Sequence, residues 1–333
     1  MKNRKKIAIV LVVAGVLMML LGICLLCFTS SKVKNDAIVE VYVYPNTSFE
    51  QLKGELQQKG VIDAGIAYSS FVKLLSDMQN VRSGFYKVEP GMTQLNLAKM
   101  FVRGLQTPVK LVIGKSRTHE EFAKKISSQL MMEERDLQIA IDNRECDKDL
   151  FECVVPDTYE VYWNISAEKL LQRLESESAK WWESQAEKLE TIGLNPHQVI
   201  VLASIVEEET NKNDEKPIIA GVYINRLNKD MLLQADPTVK YAVGDFSIKR
   251  VMYKHLQTDS PYNTYMYKGL PPSPICLPEK SSLMSVLNYR KHNYIFFCAK
   301  EDFSGYHNFA ETPAEHYANA NRYQAALNKL GIR

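Results

Sequence analysis

Hydrophobic and polar positions in the middle of the chain change repeatedly from a period of two to a helical period. VEVYVYP (39–45) alternates at every second residue, as a strand with one buried face does, and a capped helical pattern follows it. The same succession occurs three times, with strand and helix segments at 39–45 and 48–60, at 84–88 and 94–104, and at 108–114 and 119–130. The chain therefore predicts a loose repeat of small α+β units, which is either ordinary packing or a small carbohydrate-binding module.

The segment before these units is apolar without interruption. IAIVLVVAGVLMMLLGICLLCF (7–28) has no charged residue and is long enough to cross a membrane as one helix. Four of the first six residues are positively charged, whereas only two lysines lie between the apolar run and Asp36. We therefore expect residues 1–35 to form a cytoplasmic N-terminus and a single N-terminal transmembrane helix. The alternative is a cleaved signal peptide, but the run is longer than the core of a typical one.

The remainder of the chain changes character twice. From 115 to 192 the pattern is mainly helical, and SAEKLLQRLESESAKWWESQAEKLETIG (166–193) predicts one or two amphipathic helices. From 193 to 333 short apolar runs alternate with long segments rich in Pro, Gly, Asn, Thr and Tyr, which are typical of binding or catalytic loops. We expect an α+β domain at 36–114, a helical connecting region at 115–192 and an α+β domain at 193–333.

The composition is that of a globular protein and excludes several classes of function. The chain has 333 residues, of which 46% are hydrophobic, and its net charge of +2 provides no broad field for nucleic acid. No metal-binding, nucleotide-binding or serine-hydrolase motif stands out, so we expect no cofactor and no metal site. The cysteines after the apolar run lack zinc-like spacing, and Cys146 and Cys153 form either a disulfide or isolated thiols.

The segment LNPHQVIVLASIVEEET (194–210) predicts an apolar helix with three carboxylates at its end. Asn195 suits the N-cap and Pro196 suits the first helical position. Because the helix is apolar on nearly every side, periodicity does not show which of the three glutamates, at 207–209, points inward. At least one of their carboxyl groups must lie at the boundary of a core.

Three effects would keep such a carboxyl group protonated. The C-terminal end of a helix dipole disfavours an anion, neighbouring carboxylates repel one another, and partial burial favours the neutral acid. A carboxyl group that stays protonated near neutral pH suits a general acid for glycosidic cleavage. The alternative for this segment, taken by itself, is a solvated acidic helix end.

Several segments together resemble one known family. They are LASIVEEET (202–210), IAGVYINRL (219–227), LLQADPTVKYAVG (232–244), SPYNTYMYKGLPPSPI (260–275) and GYHNFAETPAEH (305–316). With PDTYEVY (156–162), and in this order, they resemble the YceG-like family of membrane-anchored endolytic murein transglycosylases (MltG). The resemblance implies a membrane anchor, a LysM-like domain at 36–114 and a catalytic domain at 193–333.

The resemblance also implies a catalytic residue and a reaction. In the family the acid is the Glu of a Glu-Thr pair, which corresponds to Glu209 before Thr210. The reaction is non-hydrolytic cleavage of the β-1,4 bond between N-acetylmuramic acid and N-acetylglucosamine. Glu209 would protonate the leaving oxygen and then accept a proton as a 1,6-anhydro ring closes. Relatives often carry Lys at the position of Glu208, so we expect Glu208 to face solvent and its charge to raise the pKa of Glu209.

Two further carboxylates are candidates for a supporting role. A hydrolase normally needs a second carboxylate at a defined distance from its acid, and the sequence offers Glu207 and Asp236. Asp236 precedes Pro237, and this pattern favours a residue that caps a turn or the next helix.

Sugar polymers are bound by amide groups, hydroxyl groups and aromatic faces. The later loops offer candidate substrate-binding residues at Gln234, Ser260, Asn263, Thr264, Tyr265 and His307. Each has an alternative role, because Asn and Thr beside Pro commonly close turns and Tyr is often a core residue. Asn225 and Arg226 are expected to brace the loops rather than to contact sugar.

Partners and location follow from the resemblance. The implied partners are peptidoglycan glycan strands, the membrane through one N-terminal helix, and enzymes of wall synthesis; nucleic acid is not expected. The implied location is the outer, periplasmic face of the bacterial cytoplasmic membrane. A tether would confine the site to the layer beside the membrane, where cleavage would limit glycan strand length.

Other functions stay open at this point. One is a non-catalytic membrane-anchored peptidoglycan-binding protein. Another is a secretory-pathway glycosyltransferase, suggested by the DKD motif at 147–149, which would need a nucleotide sugar and a divalent metal. Relatives have also been labelled aminodeoxychorismate lyases, but that activity would require a cytosolic pyridoxal-phosphate site, against the predicted topology.

Overall fold

The computed structural model of the chain describes residues 12–22, 32–62, 81–248 and 250–331. Its mixture of helices and short strands confirms the predicted α+β class. The helices are α1 Val12–Gly22, α2 Phe49–Gln58, α3 Gln94–Arg103, α4 His119–Ser127, α5 Glu134–Asp142, α6 Ala167–Ser184, α7 Ala186–Ile192, α8 Pro196–Glu209, α9 Lys216–Asn228, α10 Asp236–Val243, α11 Tyr253–Leu256, α12 Lys280–Leu287 and α13 Pro313–Lys329. The strands are β1 Val39–Val43, β2 Gly84–Val88, β3 Val109–Val112, β4 Thr158–Val161, β5 Phe296–Ala299 and β6 His307–Ala310, and they form the two-stranded sheets β1–β2, β3–β4 and β5–β6.

The chain forms two compact units. The first comprises Met1–Leu111, Gln129–Met131 and Glu160–Ile165. The second comprises Val112–Ser128, Met132–Tyr159 and Ser166–Arg333. The domain boundaries that the sequence suggested stay predictions.

The first unit is built on the β1–β2 pair. The two strands are antiparallel, with Val41 opposite Tyr86. Ser48 and Thr93 cap α2 and α3 by accepting hydrogen bonds from backbone N–H groups three residues ahead, so each helix begins where the sequence predicts. Buried faces of both strands and both helices form one apolar cluster. All three predicted pairs of strand and helix are present.

Helix α8 lies in the core of the second unit. Asn195 and Gln198 form a reciprocal capping box and Pro196 occupies the first turn, which confirms the predicted start of the helix. Every residue from Val199 to Glu207 is buried. α8 packs against α9, α10 and α12, because a helix that is apolar on all sides has to be covered on all sides.

The antiparallel pair β5–β6 lies in the same unit and aligns Cys298 with Asn308. α13 packs against both strands. The amphipathic segment 166–193 forms the two helices α6 and α7, as predicted. Cys146, Cys153, Cys276 and Cys298 are all free thiols, so the alternative of a Cys146–Cys153 disulfide is not realised.

The described residues contain no single helix that is both long and apolar enough to cross a membrane. α7 and α8 meet that requirement only as a pair, bent by 76°, and by length and composition alone. The short apolar helix α1 lies within the predicted span 7–28. The rest of that span, 7–11 and 23–28, lies outside the described residues.

Candidate active site

The three glutamates at the end of α8 have three different environments. Successive residues of a helix are about 100° apart, so their side chains leave the helix in different directions. Glu207 points into the core, where its carboxylate accepts hydrogen bonds from Lys216 Nζ at 2.9 Å and from Ser282 Oγ at 2.5 Å. Glu207 is therefore a buried structural anion.

Glu208 does not face solvent freely, and that prediction is wrong. Its side chain is 15% exposed, and its carboxylate pairs with Lys115 at 2.6 Å and Arg117 at 3.1 Å. Burial alone would raise the pKa of Glu208, but the hydrogen bonds and charges of Arg117 and Lys115 outweigh it and lower this pKa. These two cations neutralise the charge that was expected to raise the pKa of Glu209.

Glu209 is the last residue of α8, and its carboxyl group lies in a cavity. The phenol of Tyr223, a buried residue of α9, donates a hydrogen bond of 2.5 Å to Glu209 Oε1. The cavity has a volume of about 280 Å³. It is lined by Glu209, Arg226, Leu233, Gln234, Asp236, Tyr265, Phe297, Cys298, Ala299, His307 and His316.

The surroundings of Glu209 favour its protonated form. Burial is the largest cause, and it raises the pKa of Glu209 from the ordinary 4.5 to about 7. The hydrogen bond from Tyr223 acts in the opposite direction because it stabilises the carboxylate. Asp236 raises this pKa further, whereas the positive charges of Lys240 and Arg226 lower it. A substantial share of this group is therefore protonated at neutral pH.

Asp236 is the second carboxylate that lines this cavity. It is the first residue of α10, one position after the N-cap Ala235, so it does not hold the helix-capping position that the sequence favoured. Instead its Oδ1 accepts a hydrogen bond of 2.6 Å from the phenol of Tyr265, which lines the same cavity. Glu207, the other candidate, is enclosed among Lys216 and Ser282.

Arg226 and Asn225 hold the loops around the cavity through backbone carbonyl groups. Arg226 Nε donates to the carbonyl of Ile295 at 2.6 Å, and its Nη1 donates to that of Leu233 at 2.8 Å. Asn225 donates to the carbonyl groups of His292 and Tyr294, at 2.8 and 3.0 Å. Arg226 also lines the cavity.

The predicted substrate-binding residues divide into two groups. Gln234, Tyr265 and His307 line the cavity. Gln234 is exposed and has a left-handed backbone conformation, with φ of 50°, which turns the chain at the cavity edge. Its side-chain oxygen is 3.4 Å from Arg226 Nη1.

Asn263, Thr264 and Ser260 form the second group and brace a loop. Asn263 is fully buried, and its amide donates to the carbonyl groups of residues 256 and 258. The Thr264 hydroxyl bonds Thr238 Oγ1 at 2.8 Å, and Ser260 Oγ accepts from the backbone N–H of residue 262. Because the polar groups of Asn263 and Thr264 are buried and occupied, the expected direct contact with sugar does not fit them.

Other residues of the site were missed in the sequence. Tyr223 stands three positions before Arg226 on α9, a spacing that places both on one helix face, and this was the available signal. Phe297 and Cys298 come from an apolar strand that reads as core, and His316 comes from the first turns of α13. No group of His, Cys, Asp and Glu side chains in the described part of the chain is arranged to hold a metal ion.

Comparison with known proteins places the chain in a family. The sequence profile of the YceG-like family matches residues 41–322. A solved structure of a YceG-like protein from Listeria monocytogenes superimposes with a TM-score of 0.54 and 28% identity. That alignment covers 85% of this chain and 99% of the Listeria chain, so the two share a fold.

Two similar proteins are each named endolytic murein transglycosylase. The Bacillus subtilis protein is 35% identical over 166 residues, which are 50% of this chain and 45% of the relative. The Streptococcus pneumoniae protein is 23% identical over 298 residues, 78% of this chain and 54% of the relative. The chain thus spans about half the length of these curated relatives. On the profile match, which covers most of its length, the chain belongs to the YceG-like family.

Proposed function

We propose that the protein is an endolytic lytic transglycosylase that cleaves peptidoglycan glycan strands. The observation that carries this proposal is the protonatable carboxyl group of Glu209, which lies in a polar cavity, precedes Thr210 and has a pKa of about 7. Relatives of the chain are named for this activity. A buried acid that is still protonated at neutral pH is what protonation of a glycosidic oxygen requires.

In the proposed reaction one carboxyl group serves twice. Glu209 donates its proton to the bridging oxygen as the bond from C1 of N-acetylmuramic acid to that oxygen breaks. The C6 hydroxyl oxygen of the same sugar then bonds to C1, and its proton passes to the Glu209 carboxylate. The products are a free hydroxyl group on N-acetylglucosamine and a 1,6-anhydro end, no water is consumed, and Glu209 is protonated again.

The other walls of the cavity supply groups of the kinds that bind sugars. Gln234 contributes an amide, Tyr265 a phenol and His307 an imidazole, while Phe297 contributes an aromatic ring. Asp236 accepts a hydrogen bond from the phenol of Tyr265, and its charge adds to the effect of burial in raising the pKa of Glu209. We assign these residues to binding and support of the substrate.

The proposed location is the outer face of the bacterial cytoplasmic membrane. The apolar helix α1 lies within the run 7–28, which we propose as an uncleaved anchor with the N-terminus inside. We propose that residues 36–114 form a LysM-like domain that binds glycan, on the basis of the paired strands β1 and β2 and their two helices. Enzymes of wall synthesis are the proposed protein partners, and cleavage beside the membrane would limit strand length.

Replacement of Glu209 tests the proposal. Purified glycan strands are incubated with the full chain, and the new ends are identified by mass spectrometry. The wild type should release 1,6-anhydro ends, and Glu209→Gln should reduce the rate about 100-fold or more, because general acid catalysis contributes about 10²–10⁴-fold. Glu208→Gln is the matched control, since it changes the same charge on a neighbouring side chain that faces Lys115 and Arg117.

Each other outcome contradicts a named part of the proposal. Reducing ends formed by the addition of water, in place of 1,6-anhydro ends, would identify a hydrolase. Equal rates for Glu209→Gln and the wild type would remove Glu209 from the reaction. Binding of strands without any cleavage by the wild type would identify a non-catalytic anchor.

A further inference from the structure

A buried glutamate holds His307 on the wall of the cavity. Glu215 precedes α9, is 4% exposed, and uses both oxygens of its carboxylate on one residue. Oε1 accepts the backbone N–H of His307 at 2.8 Å, and Oε2 lies 2.9 Å from His307 Nδ1. The His307 ring also meets the ring of Phe297 edge-on, with centroids 5.3 Å apart and planes at 89°. The imidazole is therefore fixed in position and in rotation.

The contact with Glu215 decides which ring nitrogen carries the proton. An ionised carboxylate only accepts hydrogen bonds, so Nδ1 of His307 must donate. In the neutral imidazole Nε2 then has a lone pair and no hydrogen. Among the described residues no hydrogen bond to Nε2 is present, and the His307 side chain is 14% exposed where it lines the cavity with Glu209.

We infer that Glu215 is a positioning residue that fixes the tautomer of His307, so that His307 Nε2 accepts a hydrogen bond from a sugar hydroxyl group in the cavity. This inference rests on the proposed function and deepens it, because it names the chemical group that one wall recognises. Every sugar unit of the strand presents hydroxyl groups as donors, and the acetamido N–H group of the same unit would satisfy the same lone pair.

Substitution of Glu215 by Gln inverts the tautomer without removing the contact. The backbone N–H of His307 still needs an acceptor and binds the amide oxygen, so the amide nitrogen faces Nδ1. Nδ1 must then accept, the ring proton moves to Nε2, and the cavity gains a donor where it had an acceptor. A role of Glu215 in packing alone predicts no such change.

Nitrogen NMR of the full chain, labelled with ¹⁵N-histidine, measures the tautomer directly. The chain has six histidines, and the His307 signals are those lost in His307→Gln. The wild-type ring should carry its proton on Nδ1, and the Glu215→Gln ring should carry it on Nε2. Glu152→Gln is the matched control, because Glu152 Oε2 lies 2.8 Å from His197 Nδ1 in a pair that does not line this cavity.

Kinetics and binding test the link to sugar. A contact that is equally strong in the bound substrate and in the transition state contributes to binding but not to kcat. Glu215→Gln and His307→Gln should therefore raise the KM for purified glycan strands about tenfold and leave kcat within about threefold of the wild type. Glu152→Gln should change neither. Addition of glycan strands to the Glu209→Gln variant, in which cleavage should be slow, should shift the Nε2 resonance of His307.

The outcomes separate this inference from the proposed function. A wild-type chain that cleaves no glycan would overturn both. If the wild-type chain does cleave glycan, any one of three results would overturn this inference alone. These are a His307 proton on Nε2 in the wild type, an Nε2 resonance that bound glycan does not shift, and a wild-type KM in Glu215→Gln.

Discussion

Glu209 keeps a proton near neutral pH because burial outweighs the groups that stabilise its anion. Its pKa of about 7 makes the acid form abundant up to neutrality, so the rate should fall as pH rises through that value. The contribution of Glu209 to the stability of the folded chain should also fall as pH rises. The pKa is raised above its ordinary 4.5, so the stabilisation from this group is complete below 4.5 and lost as pH rises through about 7.

Tyr223→Phe should move the pH dependence of the reaction to higher pH. The phenol donates to the Glu209 carboxylate and thereby lowers the pKa of Glu209, so its loss raises that pKa further. A hydrogen bond to a charged group is worth about 1.5–3 kcal/mol, which corresponds to about one to two pH units. The falling limb of kcat/KM against pH, centred near 7 in the wild type, should shift upward by that amount.

The control for this shift is a tyrosine that makes a similar hydrogen bond away from the cavity. Tyr86 is fully buried in the first unit and donates to the carbonyl of Arg82 at 2.7 Å. Tyr86→Phe therefore removes a comparable buried hydrogen bond and should leave the pH profile in place. If the falling limb of Tyr223→Phe stays at the wild-type pH or moves lower, Tyr223 does not stabilise the anion of Glu209.

Single residues were predictable where the neighbouring sequence identifies them. Thr210 and the family segments singled out Glu209 as the candidate acid, and Glu209 lines the cavity. Glu208 was misassigned because its partners, Lys115 and Arg117, are remote in the sequence. Asn263 was assigned to sugar on residue type, but a loop also needs buried amides to satisfy its own carbonyl groups. Residue type alone does not distinguish these two uses.

At the scale of elements, the end of α8 is held by an ion pair in the core. The carboxylate of Glu207 joins three helices, because it binds Lys216 in the first turn of α9 and both Ser282 and the backbone N–H of Glu279 at the start of α12. Lys216 and Glu207 are only 4% and 6% exposed. Glu209 lies two residues further on, so this pair sets the position of the candidate acid.

Glu207→Ala should destabilise the second unit strongly. The substitution leaves the ammonium group of Lys216 buried without its anion, and breaking a buried pair in this way costs about 3–5 kcal/mol. The measurement is the free energy of unfolding in urea. Glu50→Ala is the control, because Glu50 pairs with Lys53 at 3.5 Å and its side chain is 77% exposed, so its loss should cost less than about 1 kcal/mol. Equal losses of unfolding free energy in the two variants would mean that Glu207 does not anchor α8.

Element boundaries were predictable because local groups determine them. The caps at Ser48, Thr93 and Asn195 begin their helices where the sequence places them. The orientation of α8 was not predictable, because a helix that is apolar on every side has no periodic signal for its inward face. Its contacts with α9, α10 and α12 set its orientation, and Lys115 and Arg117 then hold the carboxylate of Glu208.

At the scale of the whole molecule, the division of the chain into an apolar start and folded units follows from composition. The pairing of β5 with β6, which brings Phe297 and His307 to the same cavity as Glu209, does not. About a hundred residues separate Glu209 from His307, and no local pattern reports contacts over such a distance. The family segments predicted that Glu209 and His307 belong to one site, but the sequence did not give the distance or orientation between them.

Deletion of residues 1–31 should separate membrane attachment from chemistry. The deletion removes the apolar run 7–28 but keeps Val33, which belongs to the buried apolar cluster of the first unit, and it leaves Glu209 and its cavity intact. The kcat/KM on purified glycan strands should therefore stay within about twofold of the full chain. The truncated chain should leave the membrane fraction, because the proposed hydrophobic anchor is gone. An unrelated transmembrane helix fused to residue 32 should restore the membrane fraction, as binding by a tether depends on length and apolarity rather than on sequence. If the truncated chain stays with membranes in high salt, an apolar surface outside 1–31 provides the attachment instead.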